Sequence, residues 1–248
     1  MMENEVPWKK VAVAFRPRHL SELAYALDVA QALGVPLDVY VRGSSVMIDR
    51  LFGCIPQEDR TRVNPLFETD MQCRDLVDTL VVTNDAKWLT RHDVDVLFCC
   101  EATQFELYDG RSRICVPFGA RQGGLEAMQI AVPLAVALSA EIAMYHTTWT
   151  DGRRVDSDPR DLMSDATNAV MRSMMKCAER ATQTVPSVVI EARATVTDGI
   201  AQYVIREAMS LVVMARNPGT TIGHHADQFF GHSAVPLLVC RTVQGRFP

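Results

Sequence analysis

Apolar and polar residues along the chain follow two alternating patterns. Short β-branched runs are typical of buried strands, and longer segments with an apolar residue every three or four positions are typical of amphipathic helices. Two stretches, 11–41 and 114–146, share one order of elements: a strand-like run, a turn, a helical segment, a small residue at Gly34 or Ser139, and a second strand-like run. This order predicts βαβ crossovers and a parallel sheet, once in each half of the chain.

The repeat extends further along each half. Residues 80–100 match residues 192–215 as a strand ending in Asp85 or Asp198, a helical segment and a second buried strand. Both aspartates precede helical runs, so we expect them to act as N-caps rather than in catalysis.

The predicted fold class is α/β, with two Rossmann-like parallel-sheet units in tandem. We place the units at 1–110 and 111–248. The second repeat starts soon after Cys100, which leaves no evident room for a closing strand or a phosphate-binding turn in the first unit. The first unit is therefore expected to be truncated and the second to be fuller.

Composition narrows the function classes. The 248-residue chain is 48% hydrophobic and 22% charged, as in ordinary globular domains. Its net charge of −5 argues against a basic face that binds nucleic acid. The opening residues lack the apolar core of a signal peptide, and no window has the ~18 apolar residues of a membrane span. We therefore expect a soluble, cytoplasmic protein whose seven cysteines, with no C-x-x-C pair, are mainly small buried hydrophobes.

Several segments of the second half resemble, in order, those of the universal stress protein family. They read ICVPFG, IAMYH, VIEARATV, DGIAQYVIREAMS, LVVMARN and GHSAVPLLVCR. The resemblance covers about 112–243, and the first half shows it more weakly. It implies an adenine nucleotide alpha hydrolase-like fold, a role in stress response or regulation without catalysis, and ATP or AMP as the ligand.

The turn that follows the fourth strand of the second unit departs from the family pattern. Family members that bind ATP carry G-x2-G-x9-G-[S/T] there, and its backbone N–H groups surround the phosphates. Gly223-His224 matches the final pair, and Ala215 stands where the strand-end glycine belongs. Only seven residues separate Ala215 from Gly223, so the turn is short and we expect nucleotide binding to be weak or lost.

Any ligand is expected at the carboxyl ends of the first and fourth strands of the second unit. Phe118 stands there where the family uses an aspartate, so base selectivity should be weak. The turn also fits a simple strand-to-helix connection, with glycine for positive φ and threonine as a cap. The candidate ligand-binding residues are Pro117, Phe118, Gly119, Ala215, Arg216, Gly219, Gly223 and His224.

No catalytic motif is present, so we expect no enzymatic activity. The cluster of His224, His225, Asp227 and His232 lacks the spacing of an established metal site, so no metal is expected. The alternative function is a nucleotide- or flavin-binding enzyme or electron carrier of the wider superfamily.

The apolar run VPLLVC near the end of the chain is expected to form an edge strand that pairs across an interface. Pairing with the other unit would make one chain a pseudo-dimer, and pairing between chains would make a homodimer. The sequence names no protein partner.

Overall fold

A computed structural model describes residues 6–43, 45–67, 76, 78–85, 94–99, 112–120, 123–149, 158–193, 195–216, 229 and 235–241. Within these residues there are ten strands: β1 (Lys10–Phe15), β2 (Leu37–Val41), β3 (Val63–Phe67), β4 (Thr79–Thr83), β5 (Asp95–Phe98), β6 (Arg113–Pro117), β7 (Glu141–Trp149), β8 (Ser187–Arg193), β9 (Leu211–Ala215) and β10 (Leu237–Cys240). The described residues also form α1 (Leu20–Leu33), α2 (Ser45–Cys54), α3 (Gly123–Leu138), α4 (Asp165–Thr182) and α5 (Val196–Arg206). Short 3-10 turns occupy Arg60–Arg62 and Pro159–Leu162.

The described strands form one sheet in the order β3-β2-β1-β4-β5-β10-β9-β6-β7-β8. Every neighbouring pair is parallel except β5 and β10, which are antiparallel and align Leu238 with Leu97. Each half therefore contributes five strands in the order 3-2-1-4-5, counted within that half. The predicted tandem α/β architecture is confirmed, with β1 and β6 as equivalent inner strands.

The apolar run near the end of the chain forms β10, and its pairing with β5 lies within the chain. The predicted interface role of this run is confirmed in its intrachain form. All four residues of β10 are buried, as are all four of β5.

Two sequence-based expectations for the first half are wrong. The first half does have a closing strand, because β5 follows β4 and pairs with it as β10 pairs with β9. The match of 80–100 to 192–215 is also displaced by one strand, since β4 pairs with β1 as β9 pairs with β6. Both stretches read as strand, helix and strand, and periodicity alone does not say which strand of a repeat is seen.

Asp198 is not the predicted N-cap of α5 but lies one turn further into the helix start. Thr195 is the N-cap, and its hydroxyl accepts a hydrogen bond from the Asp198 N–H at 3.1 Å. The Asp198 carboxylate in turn accepts from the Thr195 hydroxyl at 2.7 Å. The aspartate therefore stands in the first turn, where its negative charge also suits the helix dipole.

Equivalent small residues end α1 and α3. Gly34 and Ser139 both have left-handed backbone, with φ of 67° and 51°. The N–H of Gly34 donates to the Gln31 carbonyl, and the N–H of Ser139 donates to the Val136 carbonyl. The two helix ends therefore match residue for residue, with an offset of 105 positions.

Apolar layers cover both faces of the sheet. One includes α1 and α3 together with Met174 of α4, and the other includes Tyr203 of α5 and Phe229. Cys99, Cys115 and Cys240 are buried within these layers as predicted, whereas Cys54 is exposed. Across the described part of the chain, no helix is long and apolar enough to cross a membrane.

Candidate functional site

The strand order of the second half reverses between β6 and β9. They pair in parallel, with Ile114 opposite Leu211, while their chain connections lead to opposite sides of the sheet. Extending this register places Phe118 level with Ala215. In an open parallel sheet, the carboxyl ends of strands at such a reversal border a crevice in which ligands bind.

Of the sequence-predicted site residues, the described part of the chain contains five, and all five lie at or just beyond the ends of β6 and β9. Gly219, Gly223 and His224 lie outside the described residues, as do the histidines and Asp227 considered for a metal site. The five that come together are Pro117, Phe118, Gly119, Ala215 and Arg216.

Phe118 belongs to the core. Its side chain is only 7% exposed, and its ring centroid lies 5.1 Å from that of His146. Its N–H donates to the Tyr145 carbonyl at 2.9 Å. A side chain at Gly124 would place Cβ 2.9 Å from the Phe118 Cβ, so glycine allows α3 to start directly against this residue. The phenyl ring is therefore held by α3 and β7 rather than presented to a ligand.

His146 is a site residue that the sequence analysis did not single out. Its Nδ1 lies 2.8 Å from the Phe118 carbonyl oxygen, which can only accept, so Nδ1 carries the proton. Desolvation by burial lowers the pKa of His146, against a smaller raising effect of this hydrogen bond. The neutral ring then leaves Nε2 as an acceptor.

Arg216 follows β9 directly and is only 6% exposed. Its N–H donates to the Cys240 carbonyl at 2.8 Å, which extends the pairing of β9 with β10 by one residue. A guanidinium presents five N–H donors in a fixed plane that matches phosphate or carboxylate oxygens. This arginine is therefore the described cation nearest in sequence to the predicted phosphate turn.

Gly119 has space around it. A Cβ placed there would have no heavy atom within 4 Å, and its φ is not in the left-handed region. The fold therefore does not require glycine at this position, which distinguishes it from Gly124. A substitution at Gly119 tests the crevice without disturbing the core.

The first half has its own crevice at the ends of β1 and β4, and sequence reasoning missed it. Arg16 Nη2 lies 3.7 Å from Asp85 Oδ2, and the Asp85 N–H donates to Thr83 Oγ1 at 3.0 Å. Glu22, in the first turn of α1, is only 2% exposed. The signal was present in the sequence, because Glu22 shares a helix face with Ala26 and Val29, which are apolar and buried.

Neither crevice shows an evident catalytic arrangement among the residues that are described. No group of three or more His, Cys, Asp or Glu side chains there is arranged to hold a metal ion. The described residues at the two crevices offer hydrogen-bond donors and acceptors that could bind a ligand.

No family model matches this sequence, and no curated protein is similar to it in sequence. Solved structures are similar in fold. A functionally unknown protein from Pseudomonas aeruginosa superimposes with a TM-score of 0.66 at 14% identity, covering 96% of this chain and 95% of the other. A universal stress protein from Archaeoglobus fulgidus superimposes with a TM-score of 0.65 at 13% identity, covering 94% and 96%. The chain therefore has the tandem fold of the universal stress proteins along nearly all of its residues.

Proposed function

We propose that this chain is a non-enzymatic regulatory protein of the universal stress type, and that it binds adenine nucleotides weakly in the β6–β9 crevice. The observation that carries the proposal is the buried Arg216 directly beyond β9, at the edge where the strand order reverses. The full-length similarity to a universal stress protein supports the functional class. The same arrangement of strand ends is where α/β sheets bind their ligands.

Weak affinity follows from what this crevice contains. Phe118 replaces the acidic residue that the resemblance leads us to expect, and its ring is buried. Arg216 would contribute about 1.5–3 kcal/mol if it paired with a phosphate. Without an acidic partner for the base, we expect dissociation constants in the micromolar range or weaker.

Calorimetric titration of ATP, AMP and inorganic phosphate tests the proposal. Arg216→Gln and Gly223→Val should each weaken ATP binding at least tenfold, whereas Arg206→Gln, an exposed arginine on α5, should leave it unchanged. Circular dichroism spectra must first show that each variant is folded. Equal heats for all four proteins would mean that the turn is only a connection.

Two further measurements test the absence of catalysis and the alternative function. Phosphate release from ATP should not exceed that of a heat-killed control, because the predicted phosphate turn is short, with only seven residues between Ala215 and Gly223. Flavin absorbance in the purified protein would instead favour an electron carrier of the wider superfamily. Mass spectrometry of co-purifying small molecules identifies which nucleotide, if any, the protein retains.

A further inference from the structure

The crevice of the first half contains a buried carboxylate whose hydrogen bonding is incomplete. Glu22 lies in the first turn of α1 and is 2% exposed. The backbone N–H of Asn84, one residue beyond β4, hydrogen-bonds to this carboxylate, and the charge of Arg16, one residue beyond β1, acts on it. Within the part of the chain that is described, Glu22 Oε1 is buried and has no hydrogen-bond partner.

The second half shows that helix packing does not require this carboxylate. The matching ends of α1 and α3 are offset by 105 positions, which makes Ala127 the counterpart of Glu22. Ala127 is 1% exposed, so both positions face the interior. Burying a carboxyl oxygen without a partner costs free energy that alanine avoids. Such a cost is typical of a functional site.

The charged groups around Glu22 indicate which kind of hydrogen-bond donor its Oε1 would accept. Burial raises the pKa of Glu22 and is the largest effect on it, while the charges of Arg16 and His19 and the Asn84 N–H lower it and the nearby Asp85 raises it. Arg16 and Asp85 are 3.7 Å apart, longer than a charge-assisted hydrogen bond, and their side chains are 39% and 30% exposed. A phosphate would approach two carboxylates at this edge, whereas a cation with N–H groups would meet a free acceptor.

We propose that the β1–β4 crevice binds a small organic cation that carries N–H donors, such as a primary ammonium or an amidinium group, with Glu22 Oε1 as its acceptor. The ligand class differs from that proposed for the β6–β9 crevice, where a buried arginine favours an anion. This proposal does not depend on nucleotide binding in the second half.

Titration of the ¹⁵N-labelled protein, followed by NMR at the Asn84 amide, tests the site. The probes are methylammonium chloride and acetamidinium chloride, with tetramethylammonium chloride as a control of equal charge that lacks N–H donors. We expect a saturable shift of the Asn84 resonance with at least one of the two probes and only a small linear drift with the control.

Two variants separate the acceptor from the general charge of the crevice. Glu22→Gln keeps the size of the side chain but removes its charge, and should weaken the saturable binding at least tenfold. Glu126→Gln, in the first turn of α3, is the matched control and should bind as the wild type does. Glu22→Ala introduces the residue that the second half has at the matching position, Ala127. This variant should abolish the saturable shift without lowering the melting temperature.

Three results would overturn the proposal. The first is the absence of a saturable shift with both probes in the wild type. The second is an equal response to tetramethylammonium, which would show a salt effect. The third is unchanged binding in Glu22→Gln.

Discussion

Asp95 joins three separate segments of the chain at the seam between the two halves. It lies in β5 and is 1% exposed. Its Oδ2 accepts a hydrogen bond from the Trp8 indole N–H at 2.8 Å, and its Oδ1 accepts one from the Arg241 backbone N–H at 2.7 Å. Trp8 precedes β1 and Arg241 follows β10, so one carboxylate links the start of the first half to the end of the second.

Replacing Asp95 with alanine should destabilise the protein strongly. Each lost hydrogen bond to a charged acceptor is worth about 1.5–3 kcal/mol. The buried Trp8 indole N–H then lacks this acceptor, while the alanine side chain no longer pays the desolvation cost of a carboxylate. We expect a loss of about 3–5 kcal/mol in the free energy of unfolding, or roughly 6–20 °C in melting temperature for a chain of this size.

Urea denaturation followed by far-UV circular dichroism measures this loss without depending on Trp8 fluorescence. Asp95→Asn should lose less, because one oxygen remains to accept while the amide group faces the second donor. Asp49→Ala, an exposed aspartate on α2, is the control and should change stability by no more than about 0.5 kcal/mol. A loss of less than 1 kcal/mol in Asp95→Ala would refute the reasoning.

Two further predictions concern the packing of α5 on β7. Gly199→Ala should lower the free energy of unfolding by about 1–3 kcal/mol in urea denaturation, because the new Cβ would lie 2.8 Å from Thr147 Oγ1 and from the Tyr145 hydroxyl. Gly53→Ala, on α2 with nothing within 4 Å of its Cβ, is the control and should be neutral or stabilising. Equal losses in the two variants would contradict this account. Burial raises the pKa of Tyr203 to about 12, so its contribution to stability is complete below pH 10 and is lost as the pH rises from 10 towards 12. Because burial also raises the pKa of Tyr145, absorbance titration at high pH should show a late phenol that is missing in Tyr203→Phe beside any late titration of Tyr145. A native-state transition of Tyr203 near pH 10 would show the prediction wrong.

The alternation of strands and helices could be predicted because it depends on local periodicity. Val11 and Ile114 open runs whose residues are buried on both faces of the sheet, and such runs are continuous in sequence. The small residues Gly34 and Ser139 were also recognised, since a helix that ends in left-handed backbone favours them.

The closing strand of the first half, β5, shows the limit of the same reasoning, because its run was recognised as a buried strand but was matched to β9 instead of β10. β5 has only four residues, and its place at the centre of the sheet depends on pairing with β10, which is far away in sequence. No local pattern reports a partner that distant. The first half therefore looked truncated from its sequence, although its five described strands match those of the second half.

The candidate site residues were found only where the family pattern pointed to them. Pro117 and Ala215 stand at strand ends, which periodicity locates well. His146 and Glu22 were missed because their roles depend on what the fold brings next to them: a carbonyl of another segment for His146, and the end of β4 for Glu22.

The central pairing of β5 with β10 also explains how the two crevices could diverge. Each crevice is bordered by the first and fourth strands of its own half, while the seam uses only the fifth strands. Changes at the ends of β1 and β4 therefore need not disturb β6 and β9, because no strand is shared between the two sites. The first crevice now contains the buried carboxylate of Glu22, and the second contains the buried guanidinium of Arg216. These two buried charged residues do not occupy matching positions, since Glu22 lies in α1, where the second half has Ala127, whereas Arg216 follows β9. The two halves therefore offer different chemistry at their strand ends, which a symmetric pair of identical subunits could not provide.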